Sequence, residues 1–159
     1  MTKTLRRAQY AVVVVAAIHV VALALIWMHR DLIAASVATQ HPQLTGADLD
    51  ALTRSTIMQS IIPHVVLAVL LPLRAWRLRQ GRRSTQVVLT VILCLQVAAH
   101  ASLPIVLAEL PGYGAAVIAV QAVSLLFELA ALWLLWTPES RRFFAPTRTG
   151  DALPVPAAS

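Results

Sequence analysis

Residues 8 to 28 read AQYAVVVVAAIHVVALALIWM and contain no aspartate, glutamate, lysine or arginine. About 20 apolar residues in a helix cross the ~30 Å hydrocarbon core of a bilayer, and this run has that length. It exceeds the roughly 7–15 apolar residues of a signal peptide, so we interpret it as a retained span rather than a cleaved leader. Because a chain in lipid must satisfy its own backbone hydrogen bonds, the run predicts a transmembrane helix.

Three more apolar runs of similar length follow, and the composition of the whole chain agrees with them. The runs cover residues 57–76, 85–108 and 114–137. Only 13% of the residues are charged and 58% are hydrophobic, whereas soluble domains have roughly 25% charged residues. The sequence therefore predicts an all-α integral membrane protein, with a four-helix bundle over residues 1–144. The tail over residues 145–159 is rich in proline and alanine and is expected to be disordered.

The basic residues are distributed unevenly among the connections. Of the 13 lysines and arginines, only Arg30 and Arg54 lie in the first and third connections. The other eleven precede the first span, separate the second from the third, or follow the fourth. The positive-inside rule therefore predicts that both termini are cytoplasmic, in a bacterial cytoplasmic membrane. This distribution also accounts for the net charge of +6, so no nucleic-acid partner is expected.

The longest connection, residues 29–56, has a helical pattern in its second half. Thr45 begins a relaxed capping-box arrangement. Apolar residues follow at helical intervals: Leu49, Leu52 and Ile57. We predict a short amphipathic helix on the outer surface that leads into the second span. The alternative is a mobile loop.

Each predicted span carries one ionisable side chain near its middle. These residues are His19, His64, His100 and Glu128. At about 1.5 Å per residue they lie roughly 13 to 22 Å from the cytoplasmic ends of their spans. An ionisable group at this depth costs a few kcal/mol if it meets lipid. We therefore expect all four to face a shared interior.

Uncharged polar residues accompany these groups. Gln96 and His100 are four residues apart and share one face of the third span. Gln121, Ser124 and Glu128 form a polar stripe along the fourth span. A polar stripe finds no hydrogen bonds in lipid, so it is expected to face the interior of the bundle.

Two of the histidines have a proline nearby: Pro104 lies one turn after His100, and Pro63 directly precedes His64. Pro104 has no amide hydrogen to donate to the carbonyl of His100. Pro63 has the same effect on Gln59, one turn before His64. We expect weakened helix and spare carbonyl acceptors at both places.

The depths also predict which ionisable groups pair. His19 and Glu128 both lie nearer the cytoplasmic half, so if Glu128 pairs with a neighbouring group, His19 is the expected partner. His100 and Glu128 differ most in depth, by roughly 9 Å. We therefore predict that these two meet only through Gln96, Gln121 or water.

Three interpretations of this intramembrane cluster are open on sequence alone. The cluster comprises His19, His64, Gln96, His100, Gln121, Ser124 and Glu128. Its hydrogen bonds could simply hold the helices together. Alternatively, its imidazoles and carboxyl group could form a proton relay, an ion path or a small-ligand site. As a third possibility, His19, His64 and His100 could bind a transition metal or a haem, although no HExxH spacing supports this.

No catalytic motif occurs in the chain. It has no GxSxG, no P-loop and no glycine-rich nucleotide motif, so an enzyme is not expected. The leading hypothesis is a small accessory protein that assembles with itself or with a larger membrane protein. The rivals are proton-coupled or ion transport by the intramembrane cluster, and haem- or metal-dependent redox chemistry.

The segment RRFF follows the fourth span and has the composition of an interfacial anchor. Arg141 and Arg142 would contact anionic lipid head groups. Phe143 and Phe144 would dip into the leaflet. The lipid bilayer is thus the one partner that the sequence predicts directly.

Two segments carry a resemblance to a known class of protein: the outer segment HPQLTGADLDALTRSTI and the end of the fourth span, LLWTPESRRFF. The chain resembles small four-span membrane proteins, mostly uncharacterised, from bacteria whose proteomes are rich in alanine, valine and arginine. The resemblance covers most of the chain. It implies a four-helix bundle in the cytoplasmic membrane, and it implies no functional residues.

Overall fold

The computed structural model describes residues 1–102 and 114–145. Within these ranges the chain forms six α-helices and no strand. The helices are α1 Lys3–Met28, α2 Arg30–Gln40, α3 Gly46–Arg77, α4 Arg83–Ser102, α5 Gly114–Leu135 and α6 Pro138–Phe144. A 3₁₀ turn, Leu78–Gln80, joins α3 to α4.

Four of these helices are long and apolar enough to cross a membrane: α1, α3, α4 and α5. The prediction of an all-α, multi-pass membrane protein is therefore confirmed. The described part of the third span ends at Ser102, so its predicted extension to residue 108 lies outside the described residues, as does Pro104. The predicted tail also lies outside them, apart from Ala145.

The connection between α1 and α3 contains more helix than the sequence pattern indicated. The predicted outer helix is present as the first turns of α3, which continues without interruption through Pro63 and Pro72. Thr45 occupies the N-cap position of α3, but its side chain makes no capping hydrogen bond, so the capping-box prediction was wrong. The separate helix α2, which packs against α3, was not predicted. Its low apolar periodicity explains why: only Val37 of α2 is buried.

The extent of packing differs between the pairs of long helices. α1 packs along both α3 and α5, and α4 packs mainly against α5. The side between α3 and α4 is the most loosely packed in the described part of the bundle. α3 is consequently the most exposed span, since only 6% of its most apolar window is buried, compared with 33% for α1.

The apolar core fills one half of the bundle. This half adjoins the end at which α1 begins, α3 passes into α4, and α6 lies; we call it the basic end because the arginine-rich segments gather there. Its largest fully buried apolar side chains are Leu5, Val12, Val15, Leu71, Leu78, Leu89, Leu93 and Leu135. The polar side chains at midspan begin where this apolar layer stops.

The short helix α6 closes the basic end. Thr137 caps it by accepting a hydrogen bond from the amide of Ser140, and Pro138 supplies the first turn. The Ser140 hydroxyl donates to the carbonyl of Leu134 at 2.7 Å and so fixes the turn between α5 and α6. Thr4 at the start of α1 donates a hydrogen bond to the carboxylate of Glu139. Both ends of the described chain are therefore tied together.

Candidate intramembrane polar site

His19 stands at the centre of the polar site. It lies on α1, the helix with the most neighbours, and it is only 2% exposed. Its Nε2 atom lies 2.5 Å from Nε2 of Gln96 on α4, and its Nδ1 atom lies 2.8 Å from Nδ1 of His64 on α3. One imidazole therefore links three of the four spans.

The order of these bonds sets the tautomers of the neutral imidazoles. The Gln96 amide donates to Nε2 of His19, so the His19 proton resides on Nδ1. That Nδ1–H group donates to Nδ1 of His64, whose own proton is then on Nε2. The two rings lie 5.1 Å apart and are tilted by 45°. An imidazole bonded through both nitrogens can accept a proton on one and release a proton from the other.

A second polar group lies on α4 and α5. Nδ1 of His100 is 3.1 Å from both carboxylate oxygens of Glu128. The Ser124 hydroxyl, one turn earlier on α5, donates to Oε1 of the same carboxylate at 2.8 Å. Glu128 is fully buried, and the His100 side chain is 12% exposed. A carboxylate at this depth is thus satisfied by two donors from within the protein.

The predicted pairing of these groups was wrong. Glu128 pairs with His100, not His19, and the contact is direct rather than through an intermediate. A depth counted along the sequence gives the position of a residue's Cα atom in the membrane. The side chain itself leans from there toward the N-terminus of its helix. α4 and α5 run in opposite directions, so His100 and Glu128 lean toward each other and close the difference in depth.

The two groups adjoin one another. His64, His100 and Glu128 are all close enough to His19 to interact with it electrostatically. Gln96 and His100 share one face of α4, and the Oε1 atom of Gln96 is buried with no hydrogen-bond partner among the described residues. Gln121 is half-buried one turn from Ser124, and in the described chain it makes no hydrogen bond to either group. Six of the seven predicted cluster residues therefore take part in the network.

The described residues do not form a metal site. Across residues 1–102 and 114–145, no three His, Cys, Asp or Glu side chains converge as metal ligands do. The facing nitrogens of His19 and His64 lie 2.8 Å apart, at the distance of a direct hydrogen bond between them. His100, the third candidate ligand, is engaged by Glu128. This geometry gives no support to the haem or metal interpretation.

The predicted lipid anchor is only partly exposed. Arg141 and Arg142 lie on the surface of α6. Phe144, however, is 3% exposed and belongs to the apolar core, and Phe143 packs against that core. The expectation that both phenylalanines enter the leaflet was therefore wrong. The cap at Thr137 folds α6 back onto the bundle, which turns these rings inward.

Two polar contacts outside the site, one buried and one exposed, were not predicted from the sequence. The Gln86 amide donates to the carbonyl of Leu135 at 2.8 Å, where the helical hydrogen bonds of α5 end. Nearby, the Trp136 indole donates to the Thr90 hydroxyl at 2.8 Å. Both contacts lie between α4 and α5 near the basic end. A glutamine that follows an arginine run resembles any interfacial residue, so the sequence carries no signal for this role.

Comparisons with models of protein families, with curated proteins and with solved structures found no match to this chain. The chemistry of the site is therefore inferred from its own residues. Within the described residues the arrangement offers two imidazoles in series, a third imidazole paired with a carboxylate, and one buried amide oxygen without a hydrogen-bond partner. These groups can hold and exchange protons, and they can accept hydrogen bonds from water or from a small cationic ligand.

Proposed function

We propose that this protein lies in a bacterial cytoplasmic membrane with both termini in the cytoplasm. Eleven of its 13 basic residues then face the cytoplasm, as the positive-inside rule requires. The meeting of α1, α6 and the Leu78–Gln80 turn at one end of the bundle supports this orientation. Residues 29–56, including α2, then lie on the outer side.

We propose further that the intramembrane cluster binds and passes protons as part of a proton-coupled transport function. One observation carries this proposal: each of the four spans contributes one ionisable side chain, and each of these side chains is hydrogen-bonded to a group on another span. Ionisable groups in spans are costly and commonly mark proton or ion paths. Hydrogen bonds for packing alone do not require ionisable residues, since serine, threonine and glutamine serve equally well.

Each residue has a distinct part in the proposed relay. His19 passes its Nδ1 proton to Nδ1 of His64 and takes up a replacement proton at Nε2 from a water molecule that exchanges with the Gln96 amide. Glu128 is the carboxylate that takes up a proton, with His100 as the exchanging partner. The unpaired Oε1 atom of Gln96 can accept a hydrogen bond from a water molecule and so extend the network toward His100.

The apolar layer beside the cluster favours a transporter rather than an open channel. Leu71, Leu89, Leu93 and Leu135 are fully buried between the cluster and the basic end. A proton cannot cross such a layer without a polar path, so passage requires the helices to rearrange. The loosely packed side between α3 and α4 is where that rearrangement needs the least disruption of contacts.

Proton flux into proteoliposomes tests the proposal. Purified protein is reconstituted with a pH-sensitive dye inside, and a pH gradient is applied with the membrane potential clamped. We expect the gradient to decay faster than in empty vesicles, and Glu128→Gln to reduce the protein-dependent rate by about tenfold or more, as loss of a proton-transfer group commonly does. Glu139→Gln removes the other described glutamate, which lies at the basic end, and is expected to retain the wild-type rate. Equal rates for wild type and Glu128→Gln would reject the relay.

A second function, self-assembly as a small accessory protein, is favoured by the exposure of α3. Only 6% of the apolar window of α3 is buried within the chain. Its outer face presents large apolar side chains, among them Met58, Ile62, Val66, Val69 and Leu73. A second copy packed on this face would bury them beside His64, which is half-buried on the same helix.

Site-directed cross-linking tests the assembly. Single cysteines are placed at Val66 on α3 and at Val20 on α1, both exposed, in a Cys94→Ala background. Self-assembly through α3 predicts a disulfide-linked dimer in membranes for Val66→Cys and little for Val20→Cys. Equal cross-linking at both positions would indicate random collision and contradict the assembly.

A further inference from the structure

A basic cleft lies at the end of the bundle, away from the intramembrane cluster. It has a volume of about 470 Å³ and forms where the Leu78–Gln80 turn and the start of α4 meet α6. Two arginines and two aromatic rings line it, namely Arg79, Arg83, Phe143 and Phe144. Gly81 also lines it.

The positive charge of this cleft is not neutralised within the described chain. No described carboxylate lies within ion-pair distance of Arg79 or Arg83; the ion pairs in the described residues are Arg30 with Asp31 and His100 with Glu128. Arg83 is also the first residue of α4, a helix of 20 residues, so the helix dipole adds partial positive charge at this end. Two guanidinium groups and a helix N-terminus together suit a phosphate group.

The position of the cleft favours a lipid over a soluble phosphate. The Arg79 guanidinium lies 4.7 Å over the ring of Trp76, which is exposed near the end of α3. Exposed tryptophans at span ends mark the head-group level of a membrane. Phe143 supplies an apolar wall beside the arginines, which suits the glycerol and upper acyl portion of a lipid.

The backbone at Gly81 allows the turn to approach α6 closely. Gly81 adopts a φ of +65°, and a Cβ atom there would lie 3.3 Å from Cε1 of Phe143. The close approach of the turn to α6 thus depends on the absence of a side chain. This geometry brings Phe143 beside the two arginines.

We propose that this cleft binds the phosphate head group of an anionic phospholipid, with Arg79 and Arg83 as its ligands. The binding is specific to the cleft and is distinct from the general attraction of a basic surface for an anionic membrane. A general attraction depends on all exposed arginines of the basic end alike, including Arg6 and Arg7, which do not line the cleft. A specific site and a general attraction therefore predict different lipid affinities for a double variant at Arg79 and Arg83 and a matched double variant at Arg6 and Arg7.

Native mass spectrometry of the full-length protein in mild detergent, titrated with phosphatidylglycerol, tests the site. We expect Arg79→Gln with Arg83→Gln to weaken binding by about tenfold or more, the effect of two lost charges near a membrane surface. Arg6→Gln with Arg7→Gln should bind as the wild type does, and Arg79→Lys with Arg83→Lys should retain most of the affinity. Circular dichroism of each variant confirms that it is folded.

Two results would overturn the assignment. Equal weakening by the two glutamine double variants, or weakening by neither, would show that the cleft is not a specific site. Displacement of phosphatidylglycerol by inorganic phosphate at the same concentration would show that the cleft holds a soluble phosphate instead of a lipid. Phosphatidylcholine, which carries no net charge, is expected to bind no more tightly to the wild type than to the Arg79→Gln, Arg83→Gln variant.

Discussion

His19 is the residue on which the intramembrane cluster depends most. It is 2% exposed and bonds Gln96 through one nitrogen and His64 through the other. Its removal leaves two polar side chains unsatisfied in an apolar setting, and such groups are costly there. His100 and Glu128 satisfy each other and would keep their contact without it. The cluster therefore consists of two adjoining hydrogen-bonded groups, and only one of them depends on His19.

A double-mutant cycle measures the bond between His19 and His64. We expect His19→Leu and His64→Leu to show a coupling of about 0.6 kcal/mol, and at most about 1.7 kcal/mol, the range found for hydrogen bonds between spans. The measurement is unfolding of the purified protein in detergent. A cycle of His19→Leu with Thr90→Val, which removes a hydroxyl bonded to Trp136, serves as the control. A His19–His64 coupling no larger than this control would mean that the two imidazoles do not interact.

At this scale the sequence predicts which faces are polar but not which residues pair. The spacing of Gln96 and His100, and of Ser124 and Glu128, placed each polar stripe on the interior. The pairing of His100 with Glu128 depends on the lean of side chains in antiparallel helices and on how far α4 is shifted along α5. Packing between α4 and α5 sets that shift, and the hydropathy pattern of either span alone does not predict it.

The helix α6 illustrates how a short element changes the role of its residues. The sequence RRFF after a span has the composition of a membrane anchor. In the structure, the Thr137 cap and Pro138 begin a new helix that folds back, so Phe144 enters the core while Arg141 and Arg142 remain outside. The cap could be read from the sequence. The direction of the fold-back could not, because it depends on the turn at Gly81 against which α6 packs.

Two glycine variants test the contact between this turn and α6. Gly81 and Gly46 both have positive φ, at +65° and +56°, so alanine at either is expected to cost about 1–2 kcal/mol. At Gly46 a Cβ atom would have no neighbour within 4 Å, whereas at Gly81 it would press on Phe143. Gly81→Ala should therefore lower the free energy of unfolding by more than Gly46→Ala does. An equal or smaller effect at Gly81 would contradict the packing of α6 against the turn.

At the scale of the molecule, the bundle consists of an apolar half and a polar middle. The apolar half holds the helices together at the basic end, where α6 and the Leu78–Gln80 turn close it. The polar middle is held by hydrogen bonds between spans, of α1 with α3 and α4 and of α4 with α5. The fold class, the number of spans and the interior faces follow from hydropathy and spacing. The order of helices around α1, and the exposure of α3, follow from packing that the sequence pattern does not contain.

Cysteine labelling tests the proposed orientation. Ala47 and Ser84 are both exposed near the first turn of a long helix, and they lie on opposite sides of the membrane in the proposed topology. In a Cys94→Ala background, a membrane-impermeant maleimide added to intact cells should label Ala47→Cys, and should label Ser84→Cys only after permeabilisation. Labelling of Ala47→Cys from the cytoplasmic side alone would show that the protein has the opposite orientation and would contradict the proposed topology.

The most direct test of the central claim, that the intramembrane cluster exchanges protons, is infrared difference spectroscopy of the reconstituted protein during a step in pH. We predict a protonated-carboxyl band that appears on acidification, is absent in Glu128→Gln and remains in Glu139→Gln. In Ser124→Ala the band should shift, because the Ser124 hydroxyl bonds the same carboxyl group at 2.8 Å. A spectrum with no pH-dependent carboxyl band, or with one that persists in Glu128→Gln, would show that Glu128 does not exchange a proton and would contradict the proposed relay.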